Sequence, residues 1–379
     1  MSTPQPTRFI GVVRNLIAGL SLALVSGLAY GAYGLNLQPP ASPIAEEILG
    51  LHNMIMVICL IIFVIVFGFM FYSIFAHRKS RGHKAATFHE STTIEIVWTA
   101  IPFLILVGMA IPSTATLLKM EDTKSEADIV IKITGYQWKW RYEYPDHDVS
   151  FFSSLSTPRD QIENKAEKGK HYLLEVDNPV VIPVGKRVRF LLTANDVIHA
   201  WWVPQLGIKK DTIPGFINET WTVASKPGTY RGQCAELCGR DHAYMPIVVV
   251  AVSQEQFTQW VGAQKAQAQA AAADAGKEWG KAELMAKGGK VYAQCAACHG
   301  AGGAGVGPFP ALTGGKITTG PLADHIKIVL KGKPGTAMQA FGGQLNDADI
   351  AAVVTYERNA LGNKTGEVVQ PAQVKALRY

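Results

Sequence analysis

In Gly232-Gln-Cys234-Ala-Glu236-Leu-Cys238-Gly-Arg-Asp-His242-Ala-Tyr-Met245, two thiols, an imidazole and a thioether fall within twelve residues. That mixture of soft and borderline donors suits copper. A Cys-x₃-Cys spacing can aim both sulfurs to one side of a compact turn. His199 lies 35 residues before Cys234, beside Trp201-Trp202. A single copper takes three or four ligands. Two thiolates, two imidazoles and a thioether exceed that, so two bridged coppers fit the set better. A disulfide between Cys234 and Cys238 is the bland alternative in an oxidising compartment. The presence of His199, His242 and Met245 argues against it. Zinc is disfavoured, because a thioether is a poor zinc ligand.

Around this loop the sequence alternates as short strands do. Asp128–Thr134, Trp138–Tyr144, Tyr172–Val176, Arg187–Leu192, Glu219–Val223 and Ile247–Val252 read as strands. Pro179, Pro183-Val-Gly185, Pro214-Gly215 and Pro227-Gly228 punctuate them. The pattern predicts an all-β sandwich or barrel, which can bring His199 and the distant cysteine loop to one pole.

Beyond Val252 an Ala/Gln-rich run reads as a linker, helical in part, over 253–280. Helical patterns return at Ala282–Ala293, Leu322–Lys331 and Ala348–Ala360. The first of them runs into Cys295-Ala-Ala-Cys298-His299, the c-type haem attachment signal. The two cysteines form thioethers to the haem, and His299 becomes an axial ligand. Met338 is the only methionine after the motif and fits the sixth position. His325 is its only rival, in a helical pattern where a surface histidine is the simpler reading. The stretch 363–379 is expected as a loosely ordered tail.

Toward the N-terminus the chain is apolar. Of its 379 residues 48% are hydrophobic and only 17% charged, which points to a membrane part. Residues 1–37 read as a signal peptide or an additional N-terminal apolar helix. Two spans follow, at about 54–76 and 96–118, within an anchor over 38–120. The basic loop His77-Arg-Lys-Ser-Arg-Gly-His-Lys84 between them belongs on the cytoplasmic side, so everything after Leu118 faces outward. The net charge of +6 is mild and unclustered, which excludes a nucleic-acid footprint. Cys59, inside an apolar run, reads as a small buried hydrophobe.

On these residues a family resemblance can be stated. His52-Asn53, Glu95-Ile-Val-Trp98-Thr-Ala-Ile-Pro102, Gly135-Tyr-Gln-Trp138-Lys-Trp140-Arg-Tyr-Glu-Tyr144, Val197-Ile-His199-Ala-Trp-Trp-Val-Pro204, Lys209-Lys-Asp-Thr-Ile-Pro-Gly215 and the cysteine loop resemble cytochrome c oxidase subunit II. The string Gly335-Thr-Ala-Met338-Gln-Ala-Phe341-Gly-Gly-Gln-Leu345 resembles class I cytochromes c. The resemblance implies a transmembrane helical hairpin, an all-β cupredoxin-like domain over 121–252 and an all-α cytochrome c domain over 281–362. It implies a dinuclear CuA centre bridged by Cys234 and Cys238, completed by His199, His242, Met245 and the Glu236 backbone carbonyl. The Glu236 side chain would reach a magnesium ion at the interface with subunit I. Trp138 resembles the tryptophan through which electrons enter, and Glu95 the carboxylate at the mouth of a proton path. For Glu95, a capping box in Thr92-Thr-Ile-Glu95 is an equally physical role.

The function implied is that of a subunit of a proton-pumping cytochrome-c oxidase in a bacterial-type inner membrane. Electrons from an external donor such as a cytochrome c would pass through haem c on Cys295, Cys298, His299 and Met338, then CuA, to subunit I, where oxygen is reduced. Subunit III and the lipid bilayer are further expected partners. A membrane-anchored copper-delivery protein or a stand-alone electron carrier is the alternative. The family docks a free basic cytochrome on an acidic patch. Here Glu143, Asp146 and Asp148 keep that patch while Lys139 and Arg141 interrupt it, and the fused domain is expected to use the remnant.

Overall fold

The computed structural model describes residues 34–378, apart from 83, 85, 86, 88 and 275. The expected N-terminal signal or helix lies almost wholly outside the described residues. The chain divides into two compact units, residues 1–116 and 117–379.

Among its described residues the first unit holds two long apolar helices, α1 (Pro43–Ala76) and most of α2 (Thr92–Met120). Both are long and apolar enough to cross a membrane. Helix α1 starts well before the apolar run, because Ser42 caps it: its hydroxyl accepts from Ala45 N at 3.1 Å, and proline takes the first helical position. Glu47 near its start accepts from Thr116 Oγ1 on α2 at 2.9 Å. Helix α2 carries Pro102 and Pro112. Its first bond runs from Glu95 N to Ser91 O at 3.0 Å, one residue earlier than a box capped by Thr92 requires. Cys59 is exposed on the lone chain, not buried, among exposed apolar side chains such as Leu60 and Ile61.

The second unit opens with a sandwich of ten strands. One sheet runs β3-β2-β1-β5-β8 and the other β4-β10-β9-β6-β7. In sequence these are Ile129–Tyr136, Lys139–Tyr144, Val149–Ser153, Val180–Pro183, Arg187–Ala194, His199–Val203, Ile208–Thr212, Asn218–Val223, Gly228–Cys234 and Pro246–Val252. Strand β5 buries every second residue, as a one-sided sheet must. The core is heavily aromatic: Trp140, Tyr142, Tyr144, Phe190 and Trp201 are almost wholly buried. Their polar atoms are satisfied inside it. Trp201 Nε1 donates to the Tyr142 hydroxyl at 3.2 Å, and the Tyr144 hydroxyl donates to Val181 O at 2.9 Å.

The expected strand at Tyr172–Val176 does not form. That segment turns, with Leu173 at φ 60°, and is tied to the fold by the bridge of Val176 to Leu155 and by bonds from Leu173 N to Thr157 Oγ1 at 3.1 Å and from Arg231 to Glu175 at 2.9 Å. Strands β3, β4, β6, β7 and β9 were not legible: the first four have only four or five residues each, and β9 carries Gly228, Arg231 and Gly232.

Helix α3 (Gln254–Asp274) replaces most of the expected linker. Phe257 and Val261 are buried, and Trp260 packs on Tyr144 with ring centroids 5.1 Å apart. The haem-motif module follows: α4 (Lys281–His299), α5 (Leu322–Lys331), α6 (Asp347–Asn359) and α7 (Pro371–Leu377). Its core joins Leu284, Ile326, Val329, Ile350, Val353 and Val354. The expected loose tail is packed: Val369 and Val374 are fully buried, and Arg378 donates to Asp347 at 2.8 Å.

Helices α4 and α6 meet at Gly288, where an added Cβ would lie 2.1 Å from Ala352 O. Backbone cannot give way as a side chain can. Gly288→Ala is therefore expected to destabilise the helical module by about 1–3 kcal/mol, read as a lower midpoint in thermal unfolding. An unchanged midpoint would refute that contact.

Candidate metal centres

The copper pole is made by strand ends. Strand β6 begins at His199, β9 ends at Cys234, and β10 begins directly after Met245. Antiparallel pairing of β6 with β9 sets Trp201 opposite Cys234. The remaining donors come from the turn between β9 and β10.

Within that pole, the Cys234 and Cys238 sulfurs lie 3.9 Å apart and both are free thiols. A disulfide needs about 2.05 Å, so the two are placed to share ligands and not to bond. His199 Nδ1 is 4.0 Å from Cys234 Sγ, and His242 Nδ1 is 3.5 Å from Cys238 Sγ. Met245 Sδ is 3.5 Å from Cys238 Sγ. The Cys234 sulfur lies 3.4 Å from the Glu236 carbonyl oxygen, so that oxygen also faces the cluster. His199, Cys234, Cys238 and Met245 are all buried. This is a convergent S₂N₂ set with a thioether and a carbonyl at its ends, and it fits two bridged coppers.

The packing around the donors fixes their rotamers. An added Cβ on Gly135 would come within 2.7 Å of the His199 ring, so β1 presses its bare backbone on the imidazole. The Trp140 ring lies 5.9 Å from that of His199, and its indole N–H donates to Met245 O at 3.4 Å.

Asp196, which sequence reasoning missed, orients the histidine: its carboxylate receives His199 Nε2 at 2.9 Å. That bond leaves Nδ1 for the metal side. The same carboxylate accepts from Gln137 N at 2.8 Å. A carboxylate three residues before a candidate ligand was the only available signal. Burial works against protonation of His199, but its bonds to Asp196 and Cys234 outweigh this and hold its pKa above the usual value. The two thiols shift each other in opposite directions. The bond from Cys238 draws Cys234 far below an ordinary thiol, and the Cys234 thiolate in turn pushes Cys238 up.

Trp138 is half-buried at the same pole, and its indole donates to Cys238 O at 3.2 Å. Glu236 is half-buried in the cysteine turn. Glu95 belongs to the other unit, exposed in the first turn of α2 along an open groove lined by Thr99 and Phe103.

In the helical module, Cys295, Cys298 and His299 end α4. His299 Nδ1 donates to Pro310 O at 2.8 Å. A carbonyl can only accept, so Nδ1 carries the hydrogen and Nε2 keeps the lone pair that an iron needs. Met338 is half-buried in the loop between α5 and α6. Its carbonyl accepts from Lys333 N at 2.9 Å. These residues fit a covalently held haem. Burial pushes the Cys295 thiol well up, and Glu357 adds to it. His325 is no surface residue: it is buried, with Nε2 on Glu357 at 2.8 Å.

Residues 129–252 match the family described as "Cytochrome C oxidase subunit II, periplasmic domain", and residues 31–116 its transmembrane domain. The chain is 41% identical over 253 residues to the "Probable cytochrome c oxidase subunit 2" of Rickettsia bellii, covering 66% of this chain and 92% of that one. The chain belongs to the cytochrome c oxidase subunit II family. It is similar also to cytochrome c oxidase subunit 2 of Cereibacter sphaeroides, at 38% identity over 60% of this chain and 79% of that one. The crystal structure of the periplasmic domain of subunit II of cytochrome oxidase of Bradyrhizobium japonicum aligns with 44% identity and a TM-score of 0.34, over 38% of this chain and 97% of that chain. Residues 283–356 match "Cytochrome C oxidase, cbb3-type, subunit III", so this subunit II carries a cytochrome c domain as well. Membership makes the chain one subunit of an oxidase complex, with subunit I as partner, and implies copper in the sandwich and haem in the helical module.

Two outcomes follow from the pole's electrostatics. Asp196→Asn keeps the shape but removes the charge behind His199, and should weaken copper binding about 10- to 100-fold, measured by competition with a chelator. Copper must also displace the proton that Cys238 holds. Apparent affinity should therefore rise with pH, about tenfold per unit for each proton released; a flat titration between about pH 6 and pH 8 would contradict this.

Proposed function

We propose that this subunit receives electrons from an external donor, such as a cytochrome c, on haem c held by Cys295, Cys298, His299 and Met338. It relays them through CuA on His199, Cys234, Glu236, Cys238, His242 and Met245 to subunit I of a proton-pumping oxidase. The observation that carries this reading is the pair of free thiols 3.9 Å apart with two imidazoles, a thioether and a carbonyl turned on them. A copper-delivery protein or a lone carrier has no use for two such sites in one unit.

The remaining roles rest on position. Trp138 is bonded to the Cys238 carbonyl and suits a place where electrons enter. Leu237, between the cysteines, is exposed, as are Phe216 and Ile217, which follow the strand paired with His199. An apolar patch of this kind beside the copper pole suits the contact with subunit I. Glu236 lies there and suits a magnesium ion shared with that subunit. Glu95, at the start of α2 beside the basic loop, suits the cytoplasmic mouth of a proton path. Copper and haem then face the periplasm of a bacterial-type inner membrane, and subunit III completes the complex.

The test is metal and haem content of the full-length chain in detergent beside its Cys234→Ser variant. Two coppers and one covalent haem are expected, with copper lost and haem kept in the variant. One copper or none, with haem present, would leave a membrane-anchored cytochrome whose β-domain serves another purpose.

A further inference from the structure

The haem module meets the sandwich along the loop that carries Met338. Gln339, the next residue, donates its side-chain amide to the Gln137 carbonyl. Gln137 is tied to both bridging-site neighbours. Its own side chain donates to Cys238 O at 2.8 Å, and its backbone N–H donates to Asp196, which holds His199. A few residues on, Phe341 lies over the Lys139 ammonium at 5.0 Å, with Phe152 on the ammonium's other flank at 5.3 Å. Lys139 is 8% exposed, although it starts a strand beside a turn. Phe152 of the sandwich and Phe341 of the haem module both cover it. Of the expected acidic patch, Glu143 bonds within the sandwich, to Lys132 and Arg141, each at 3.2 Å.

We infer that Gln339 is a positioning residue: with Phe341 it docks the haem module on Gln137 and Lys139, and so fixes one geometry between the haem and the copper pole. This rests on the function proposed above. With both groups bound, the haem would give up one electron and the copper would accept it; no bond or proton would move, and the external donor would supply the next. Through Gln339 and Gln137, covalent and hydrogen bonds link Met338 to Cys238 directly and, by way of Asp196, to His199. A swinging module would need none of these contacts.

Gln339→Glu keeps size and shape but sets a carboxylate against the Gln137 carbonyl. Lys139→Glu sets a shorter side chain of opposite charge against the Phe341 and Phe152 rings, from the other side of the contact. Three quantities are read on full-length protein: copper and haem content, hydrogen exchange of the peptide spanning 136–140, and the rate at which photoreduced haem passes its electron to copper. Expected in both variants are unchanged content, exchange faster by about tenfold or more, and slower internal transfer by a similar factor. Exchange and transfer both unchanged in Gln339→Glu, with copper and haem present, would overturn the inference. If the parent chain lacks copper, the proposed function fails instead. The exchange comparison still decides whether Gln339 docks the module.

Discussion

Two thiols held 3.9 Å apart without a bond between them are the constraint on which the rest of the copper domain depends. Apposed sulfurs in a buried pole favour either a disulfide or a single shared proton, and the fold must hold them ready for metal against both. It does so with rigid strand ends. His199 opens a strand, Cys234 closes one, and Met245 immediately precedes a third. Each donor therefore inherits the position of a hydrogen-bonded ladder, not that of a free loop. Gly135 and Trp140 press on the imidazole, and Asp196 fixes which nitrogen faces the sulfurs.

The same economy appears in the helical module. The His299 ring is oriented by a single carbonyl, from Pro310. The helix that delivers it is held by the close crossing at Gly288. Arg358, buried on α6, donates to Thr318 O at 2.8 Å and Gly320 O at 2.9 Å and pairs with Glu367, so the chain between the helices is tied from inside. In both domains the ligands are few, and most of the surrounding structure restrains them.

Much of this was legible in the sequence, where chemistry concentrates in short spacings. The cysteine loop and Cys-Ala-Ala-Cys-His announced both centres, and the apolar runs announced both spans. The strands with clean alternation, such as β5, were legible too. What escaped detection depends on distant partners. Asp196 and Gln137 are ordinary polar residues until the fold sets them 2.8 Å apart. The tail beyond Gly362 reads as polar, yet Val369 and Val374 fill the core because α6 offers them a face. Tyr172–Val176 has a strand's composition, but its backbone turns at Leu173 and leaves a single bridge from Val176 to Leu155. His325 looked like a surface residue because its partner, Glu357, lies on another helix.

Helix α3 changes what the tether is. Its first turns are bolted to the sandwich by Phe257 and Trp260, and it runs on as a rod of 21 residues, about 30 Å at 1.5 Å per residue. Beyond it, Trp279 is bonded back to Asp274 at 3.2 Å and across to Gln370 at 2.9 Å. The haem module thus hangs from a jib with a very short cable. In such a machine bearing matters as much as reach. Each residue added to the rod turns the load by about 100°, so a run of alanine and glutamine that tolerates almost any exchange of side chain tolerates almost no change in its count.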